Sequence, residues 1–260
     1  MSPERPSVTI DVVLCQTLLF GGELKGARCA AVDVLRATTT IVTAMAGGAK
    51  SFIPFMNSGE VRDYVKSRQR NPYILGGEEK GLKIPGFDLG NSPLEYLPEN
   101  VVAGRTILFS TTNGTPAMRK AYTESGFPVY VLSLLNIAAT TEAMLGEVKN
   151  SQAKKIVIVC AGKGGKPSSE DTYCAGLLVK RLSERLTENG LSPDLTDSAQ
   201  ITEGFSSKNE ARALQVLREC DHGRGLIEMG FGRDLEFASK IDHYSIAPVF
   251  DGSEIRLPEG

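Results

Sequence analysis

Acidic side chains recur in this chain just beyond apolar runs. Asp33 follows "CAAV" (29–32), Glu78 and Glu79 follow "YILGG" (73–77), and Glu170 and Asp171 lie shortly after "KIVIVCAG" (155–162). Bases and hydroxyls accompany them. Arg36 and Thr38-Thr39-Thr40 come after the first, Lys80 after the second, and Lys163, Lys166, Ser168 and Ser169 before the third. A further apolar run ends in "STTNGT" (110–115), with Thr112, Asn113 and Thr115. Hydroxyls with Arg or Lys at a helix start make an anion site, because free backbone amides and the helix dipole both favour negative charge. Clustered Asp and Glu without a His or Cys neighbour are hard oxygen donors suited to Mg²⁺. Together they suggest phosphate chemistry, in which the metal neutralises phosphoryl oxygens and orients or acidifies a water.

Each of these residues also has a plainer reading. Asp33 can be a turn or cap residue, and the threonines and "TNGTP" can be N-caps with Pro116 early in the helix. "SSED" can be a capping box, Ser168 with Asp171 three residues on, or acids placed at the positive helix end. What favours chemistry is the shared placement at strand ends, where open α/β sheets bind ligands. Familiar phosphate motifs fail on single residues. "CAGKGGK" (160–166) has the spacing of a Cys-x5-Arg loop but ends in Lys166, which lacks the guanidinium fork, and contains no GK[ST]. "VDVLRATT" starts like an Asp-x-Asp phosphatase signature, yet Leu35 occupies the second aspartate.

The elements that must hold these residues read as alternating strands and helices. Apolar, β-branched runs occur at 8–14, 29–35, 51–56, 73–77, 106–112, 129–134 and 155–162, several of them continuous, as in strands covered on both faces. Helical patterns separate them, which predicts a mostly parallel sheet with helices on both sides. After residue 190 the pattern turns helical, through "KNEARALQVLREC" and "HGRGLIEMGFGRDLEFASK", and "YSIAPVFDGSEIRL" reads as a closing strand or hairpin. "VDVLRATTTIVTAMAGGAKSFIPF" and "ILFSTTNGTPAMRKAYTESGFPVYV" share one plan, so an internal duplication stands open beside the simpler reading of one α/β/α domain over 1–260.

Composition excludes several classes. With 29 basic and 31 acidic residues and no like-charge run, a general nucleic-acid or membrane-surface role has no support. No signal peptide or transmembrane run is visible, so a cytoplasmic protein is expected. Five scattered cysteines form no CxxC pair, and two histidines make a histidine-rich zinc site improbable.

Taken in order, "VDVLRATTT" (32–40), "GGEEKG" (76–81), "FDLGNSPLE" (87–95), "STTNGT" (110–115), "CAGKGGKPSSEDTYCAG" (160–176) and "GRDLEFASKIDHYSIAPVF" (232–250) resemble the 2-phosphosulfolactate phosphatase (ComB) family. The resemblance spans most of the chain. It implies a three-layer α/β/α sandwich with a mostly parallel sheet, as one domain or two intertwined similar halves. It further implies Mg²⁺-dependent hydrolysis of (R)-2-phospho-3-sulfolactate to 3-sulfolactate and phosphate, a step in coenzyme M or sulfolactate biosynthesis. From their place at strand ends, Asp33, Glu78, Glu170 and Asp171 are the expected metal ligands, with Asp33, Glu78 and Asp171 catalytic. Arg36, Thr38, Asn91, Thr112, Asn113, Thr115, Lys163 and Lys166 are the expected substrate contacts. Arg36 is expected to grip a carboxylate or sulfonate, with Arg233 approaching from the C-terminal region, and Cys160 is not expected to be a nucleophile. A homodimer is left open. The alternatives are a phosphatase of another small phosphorylated 2-hydroxy acid, a lyase or phosphotransferase of related substrate, and a non-catalytic binder of an anionic metabolite.

Overall fold

The computed structural model describes residues 5–68, 73–97, 101–151, 153–208 and 211–258. The first stretch runs β1 (Ser7–Val13), β2 (Arg28–Val32), α1 (Ala37–Ala46), β3 (Ser51–Phe55) and α2 (Ser58–Lys66). Then come β4 (Tyr73–Glu79), β5 (Leu82–Lys83), β6 (Thr106–Ser110), α3 (Gly114–Ser125), β7 (Val129–Leu132), α4 (Ile137–Ser151) and β8 (Lys155–Cys160). The last part comprises α5 (Ser169–Glu188), β9 (Ser192–Leu195), α6 (Asp197–Ser207), α7 (Ala213–Glu219), α8 (Asp221–Glu228), α9 (Gly232–Ala238), β10 (Val249–Phe250) and β11 (Ile255–Arg256).

Among the described residues the strands form one sheet in the order β5-β4-β6-β3-β11-β10-β7-β2-β8-β1-β9. Two parallel blocks, β4-β6-β3 and β7-β2-β8-β1-β9, are joined by the antiparallel C-terminal hairpin β10–β11. The α/β/α expectation and the mostly parallel sheet are found. Every residue of β2, β6 and β7 is buried, which is why these strands read as unbroken apolar runs. α1 and α3 share one apolar cluster with Cys29, Ala31, Phe52, Ile107, Phe109, Val129 and Val131, and so lie against both blocks. The opposite faces are covered by α4, α5 and α6 on one block and by α2 on the other. α1 carries no charged side chain and is buried from Ala37 to Met45, as a helix apolar all round must be.

The two similar sequence segments have a topological counterpart. β2–α1–β3–α2–β4 and β6–α3–β7–α4–β8 follow the same plan, and each lends its first strand to the other block: β6 pairs between β3 and β4, and β2 between β7 and β8. Three antiparallel steps separate β3 from β7, so the blocks run in opposite senses along the ladder. Strand twist accumulates at roughly 20–25° per step. α1 and α3 pack against strands of both blocks, and residues from the loops that follow β2, β4, β6 and β8 meet.

Two strands escaped the sequence reading. β9 contains Pro193 and alternates half-exposed residues, the signature of an edge strand, and it pairs only with β1. β5 is two residues long. Ser92-Pro93 leads into a single 3-10 turn, Pro93–Tyr96. The start of the "KNEARALQVLREC" pattern includes residues outside the described set, and α7 is seen from Ala213.

Candidate active site

The loops after the four strands are held by two carboxylates that make matching hydrogen bonds. Glu78 Oε1 accepts from Thr112 N at 2.9 Å and Oε2 from Gly81 N at 2.7 Å. Asp171 Oδ1 accepts from Val34 N at 2.8 Å and Oδ2 from Gly162 N at 3.0 Å. Gly77 pairs with Ser110 and Cys160 with Val32, so Thr112 and Val34 each stand two residues beyond the paired position of a lent strand. In each block one buried acid ties the turn after the strand lent by the other half to the turn after the block's own third strand. This explains Asp171 better than a capping box does. Ser168 caps α5 without a side-chain cap bond.

Asp33 sits where the starts of α1 and α3 approach. Its backbone is braced by Thr38, whose hydroxyl donates to Asp33 O at 2.9 Å and accepts from Asp33 N at 3.1 Å. A Cβ on Gly114 would stand 2.6 Å from Ala37 Cβ and 2.9 Å from Asp33 Oδ2, so only glycine permits this approach. Burial pushes the Asp33 carboxyl up to about 6; the His222 charge pulls it down, while Glu78 and Glu170 push it up further. Burial, together with Glu170 and Asp33, pushes Asp171 well above the usual carboxylate range. Burial works against Glu170 as well, but the hydrogen bond and charge of His222, Nδ1 to Oε1 at 3.2 Å, outweigh it and hold Glu170 below its ordinary value.

The stretch 88–97 lies along β4. Gly77 N bonds to the carbonyls of Leu89 and Gly90, and Tyr96 Oη donates to Gly90 O across the space that a Cβ on Gly76 would fill. Thr40 Oγ1 bonds to Asn91 O at 2.8 Å, tying the stretch to α1. Arg36 is placed differently from expectation. Its Nη1 pairs with Asp234 Oδ2 at 2.8 Å, its Nη2 donates to Gly81 O at 2.6 Å, and it stacks over Phe231 at 4.2 Å. Both partners are buried, and Ser92 Oγ takes the other oxygen of Asp234 at 2.6 Å. Arg36 borders the ligand space but its fork is already paired. Arg233 is exposed and does not border that space.

A cavity of about 390 Å³ opens between these loops. Asp33, Arg36, Glu78, Asn91, Thr112, Asn113 and Lys163 line it, so seven of the expected residues meet there. Thr38 and Thr115 are buried in backbone and hydroxyl contacts behind it. Lys166 and Glu170 line a neighbouring cavity of about 210 Å³ that shares Lys163 and His222, and Asp171 lines neither. Residues to which the sequence reading assigned no role are His222 and Met229, at α8 and its end, and Lys80, noted only as a strand-end base, at the tip of the β4–β5 hairpin. A lone histidine inside a helical region carries no strand-end signal; its only mark was rarity.

Among the described residues no group of three or more His, Cys, Asp or Glu side chains is placed to hold a metal ion. Mg²⁺ keeps several waters and needs only one or two protein carboxylates. The donor chemistry suits it: Asp33 and Glu78 line the cavity, and so does Asn91, whose Oδ1 is buried without a hydrogen-bond partner among the described residues. All five cysteines are free and buried. No described helix is long and apolar enough to cross a membrane.

The sequence model of the 2-phosphosulpholactate phosphatase family matches residues 18–253. A protein of Pseudothermotoga lettingae named probable 2-phosphosulfolactate phosphatase is 38% identical over 85% of this chain and 88% of its own length. Proteins of the same name from Symbiobacterium thermophilum and Thermotoga maritima are 36% and 35% identical, covering 91% and 88% of this chain and 97% and 91% of their own.

Proposed function

Since this chain belongs to the 2-phosphosulpholactate phosphatase family, we propose that it hydrolyses (R)-2-phospho-3-sulfolactate to 3-sulfolactate and phosphate. The reaction would depend on Mg²⁺ and serve coenzyme M or sulfolactate biosynthesis in the cytoplasm. The observation that carries the reading is one cavity in which two carboxylates, a threonine hydroxyl and two lysines from four strand ends meet the amide oxygen of Asn91.

In this reading Asp33 and Glu78, with Asn91 Oδ1, would hold the metal. Mg²⁺, when bound, offsets charge on the phosphoryl oxygens and lowers the pKa of a water. The protein's own groups do the rest. Thr112 and Asn113, at the start of α3, face the phosphoryl group with Lys163. Glu78 and Asp171 hold four loop amides, which fixes these groups relative to Asp33 before substrate arrives. As the water oxygen bonds to phosphorus and the ester P–O bond breaks, the departing alkoxide takes a proton. His222, anchored to Glu170, is the group we assign to give it. Glu170 and Asp171 thus support the metal-binding wall from behind.

The test measures phosphate release from phosphosulfolactate and from phospholactate after chelation and after Mg²⁺ is restored, with products followed by ³¹P NMR. Mg²⁺-restored release of phosphate and sulfolactate is expected. Tight binding without turnover by the metal-loaded protein would instead identify a binding protein, and a product other than sulfolactate a different reaction.

A further inference from the structure

The proposed substrate carries a carboxylate and a sulfonate besides its phosphate, and the residue expected to grip them is taken. Arg36 is neutralised by Asp234 in a pair that is 4% and 2% exposed. His222 is held by Glu170. The cavity's remaining cations are Lys163 and Lys80. Lys163 makes only a 3.3 Å bond to Asp221 O, and Lys80 has no hydrogen bond or ion pair among the described residues.

The two lysines occupy corresponding places. Lys80 is three residues past Gly77 and Lys163 three past Cys160, the residues that pair with Ser110 and Val32 at the ends of the two lent strands. Each therefore follows the third strand of its half onto the shared cavity. Their backbones differ. Glu79 pairs with Leu82, so Lys80-Gly81 form a two-residue hairpin loop with φ +54° and +83°. Such a loop favours Asn-Gly or Gly-Gly, because side chains with a Cβ enter the left-handed region at a cost. The tip is also pinned: Gly81 N bonds to Glu78, Gly81 O to Arg36, and a Cβ on Gly81 would meet Met229 Cε at 2.9 Å. A strained, pinned turn that ends in an exposed, unpaired ammonium at a cavity mouth has a use for that ammonium.

We propose that Lys80 is a specificity-determining residue that binds the acid group of the substrate remote from the phosphoryl group, across the cavity from Lys163. This rests on the phosphatase reading above.

The test compares Lys80→Asn and Lys80→Arg on phosphosulfolactate and on p-nitrophenyl phosphate, which has no second acid group. Asn suits the left-handed turn better than Lys does, so the Asn variant should melt at the same temperature or slightly higher. Its KM for phosphosulfolactate should rise roughly ten- to thirtyfold with kcat little changed, the size of one lost charge-assisted hydrogen bond. The loss on p-nitrophenyl phosphate should be several times smaller, and the Arg variant should recover most of the affinity. An unchanged KM, equal losses on both substrates, or a lowered melting temperature without rescue by Arg would overturn the proposal. If the wild-type protein releases no phosphate from phosphosulfolactate, the functional reading fails on its own account. Calorimetry with sulfolactate then decides the role of Lys80: weaker binding by the Asn variant upholds it, and equal binding overturns it.

Discussion

The half that runs from β2 to β4 and the half from β6 to β8 share one plan but not one chemistry. The first residue past the lent strand is Asp33 in one and Thr111 in the other; three residues on come Arg36 and Gly114. At the third strand, Gly77 and Cys160 match, as do Lys80 and Lys163. The position alike in both halves supplies a cation, while the loop-holding acids, Glu78 and Asp171, make the same bonds from different places. The positions that differ put the cavity's carboxylates, Asp33 and Glu78, in the first half and its hydroxyl and amide donors, Thr112 and Asn113, in the second. A symmetric scaffold thus gives a cavity with an acidic wall and a donor wall.

The largest effect is expected at the Arg36 and Gly114 pair. Arg36→Ala leaves the buried Asp234 carboxylate without its cation, which costs about 3–5 kcal/mol of stability. Removing both charges together, Arg36→Met with Asp234→Asn, should restore much of that. Denaturant unfolding of the single and double variants checks it. A well-folded Arg36→Ala protein with only a raised KM would return Arg36 to the role of gripping substrate acid groups.

That result also marks the limit of what the sequence shows. Strands, alternation and the strand-end acids were readable because each is a local pattern: continuous Val, Ile and Ala runs for strands buried on both faces, and Gly-Gly-Glu-Glu for a loop that approaches other backbone. The partner of Arg36 is 198 residues away on α9, and local chemistry carries no information on which acid will meet which base. Arg233, next to Asp234, has the charge that suits a substrate anion, yet it is Asp234 that is buried against Arg36. His222, alone in a helical region, has no local pattern that places it on the cavity. The ladder order, in which each half lends a strand, is a non-local choice too, and only the repeated plan hinted at it.

Asp33 against Thr111 gives the next effect. Asp33→Asn should reduce kcat by roughly 10²–10³-fold, as expected when a preorganised charge is removed from the reacting centre; Thr111→Val should change kcat little. Stability should move the other way. The native carboxyl titrates at about 6 rather than 3.8, so the folded state binds its proton more tightly than the unfolded state does. The stability contribution of the protonated form is present in full below pH 3.8 and is lost as pH rises through about 6. In the chelated protein at pH 8, Asp33→Asn should therefore be more stable than wild type by about 2–3 kcal/mol. Its unfolding free energy should lack the fall between pH 4 and 6. An equally stable variant with unimpaired kcat would make Asp33 a plain turn residue.

Glu78 and Asp171 sharpen the comparison further, because their hydrogen bonding is the same and only Glu78 lines the cavity. Glu78→Gln and Asp171→Asn each leave one backbone amide facing an NH₂ group, costing about 1–3 kcal/mol in either half. Activity should separate them. With stability losses matched by assaying well below the midpoint of unfolding, Glu78→Gln should lose most of its turnover and its Mg²⁺ dependence, and Asp171→Asn should keep the greater part. Equal loss of turnover would mean that loop geometry, rather than the charge of Glu78, is what the reaction needs.

The smallest effect on catalysis belongs to Cys160, which shares its ladder position with Gly77. At Gly77 the backbone has φ +135° and a Cβ would stand 2.1 Å from Ser110 O, so the first half excludes any side chain there. The second half admits a thiol, at the end of the strand that leads into a Gly-rich loop, where a nucleophile would be sought. Two features argue against that role. Burial first, and then the neighbouring Asp171, push the thiol well above its ordinary value, away from the reactive thiolate. The loop after it presents Lys163 and Lys166 instead of an arginine fork, and Cys160 belongs to the apolar cluster packed under α5 rather than to the cavity lining. Cys160→Ser should therefore keep kcat within about twofold while losing roughly 1–2 kcal/mol of stability for a hydroxyl buried among apolar neighbours. A stable but inactive Cys160→Ser protein would show that the second half, like the first, places a reacting group on the cavity.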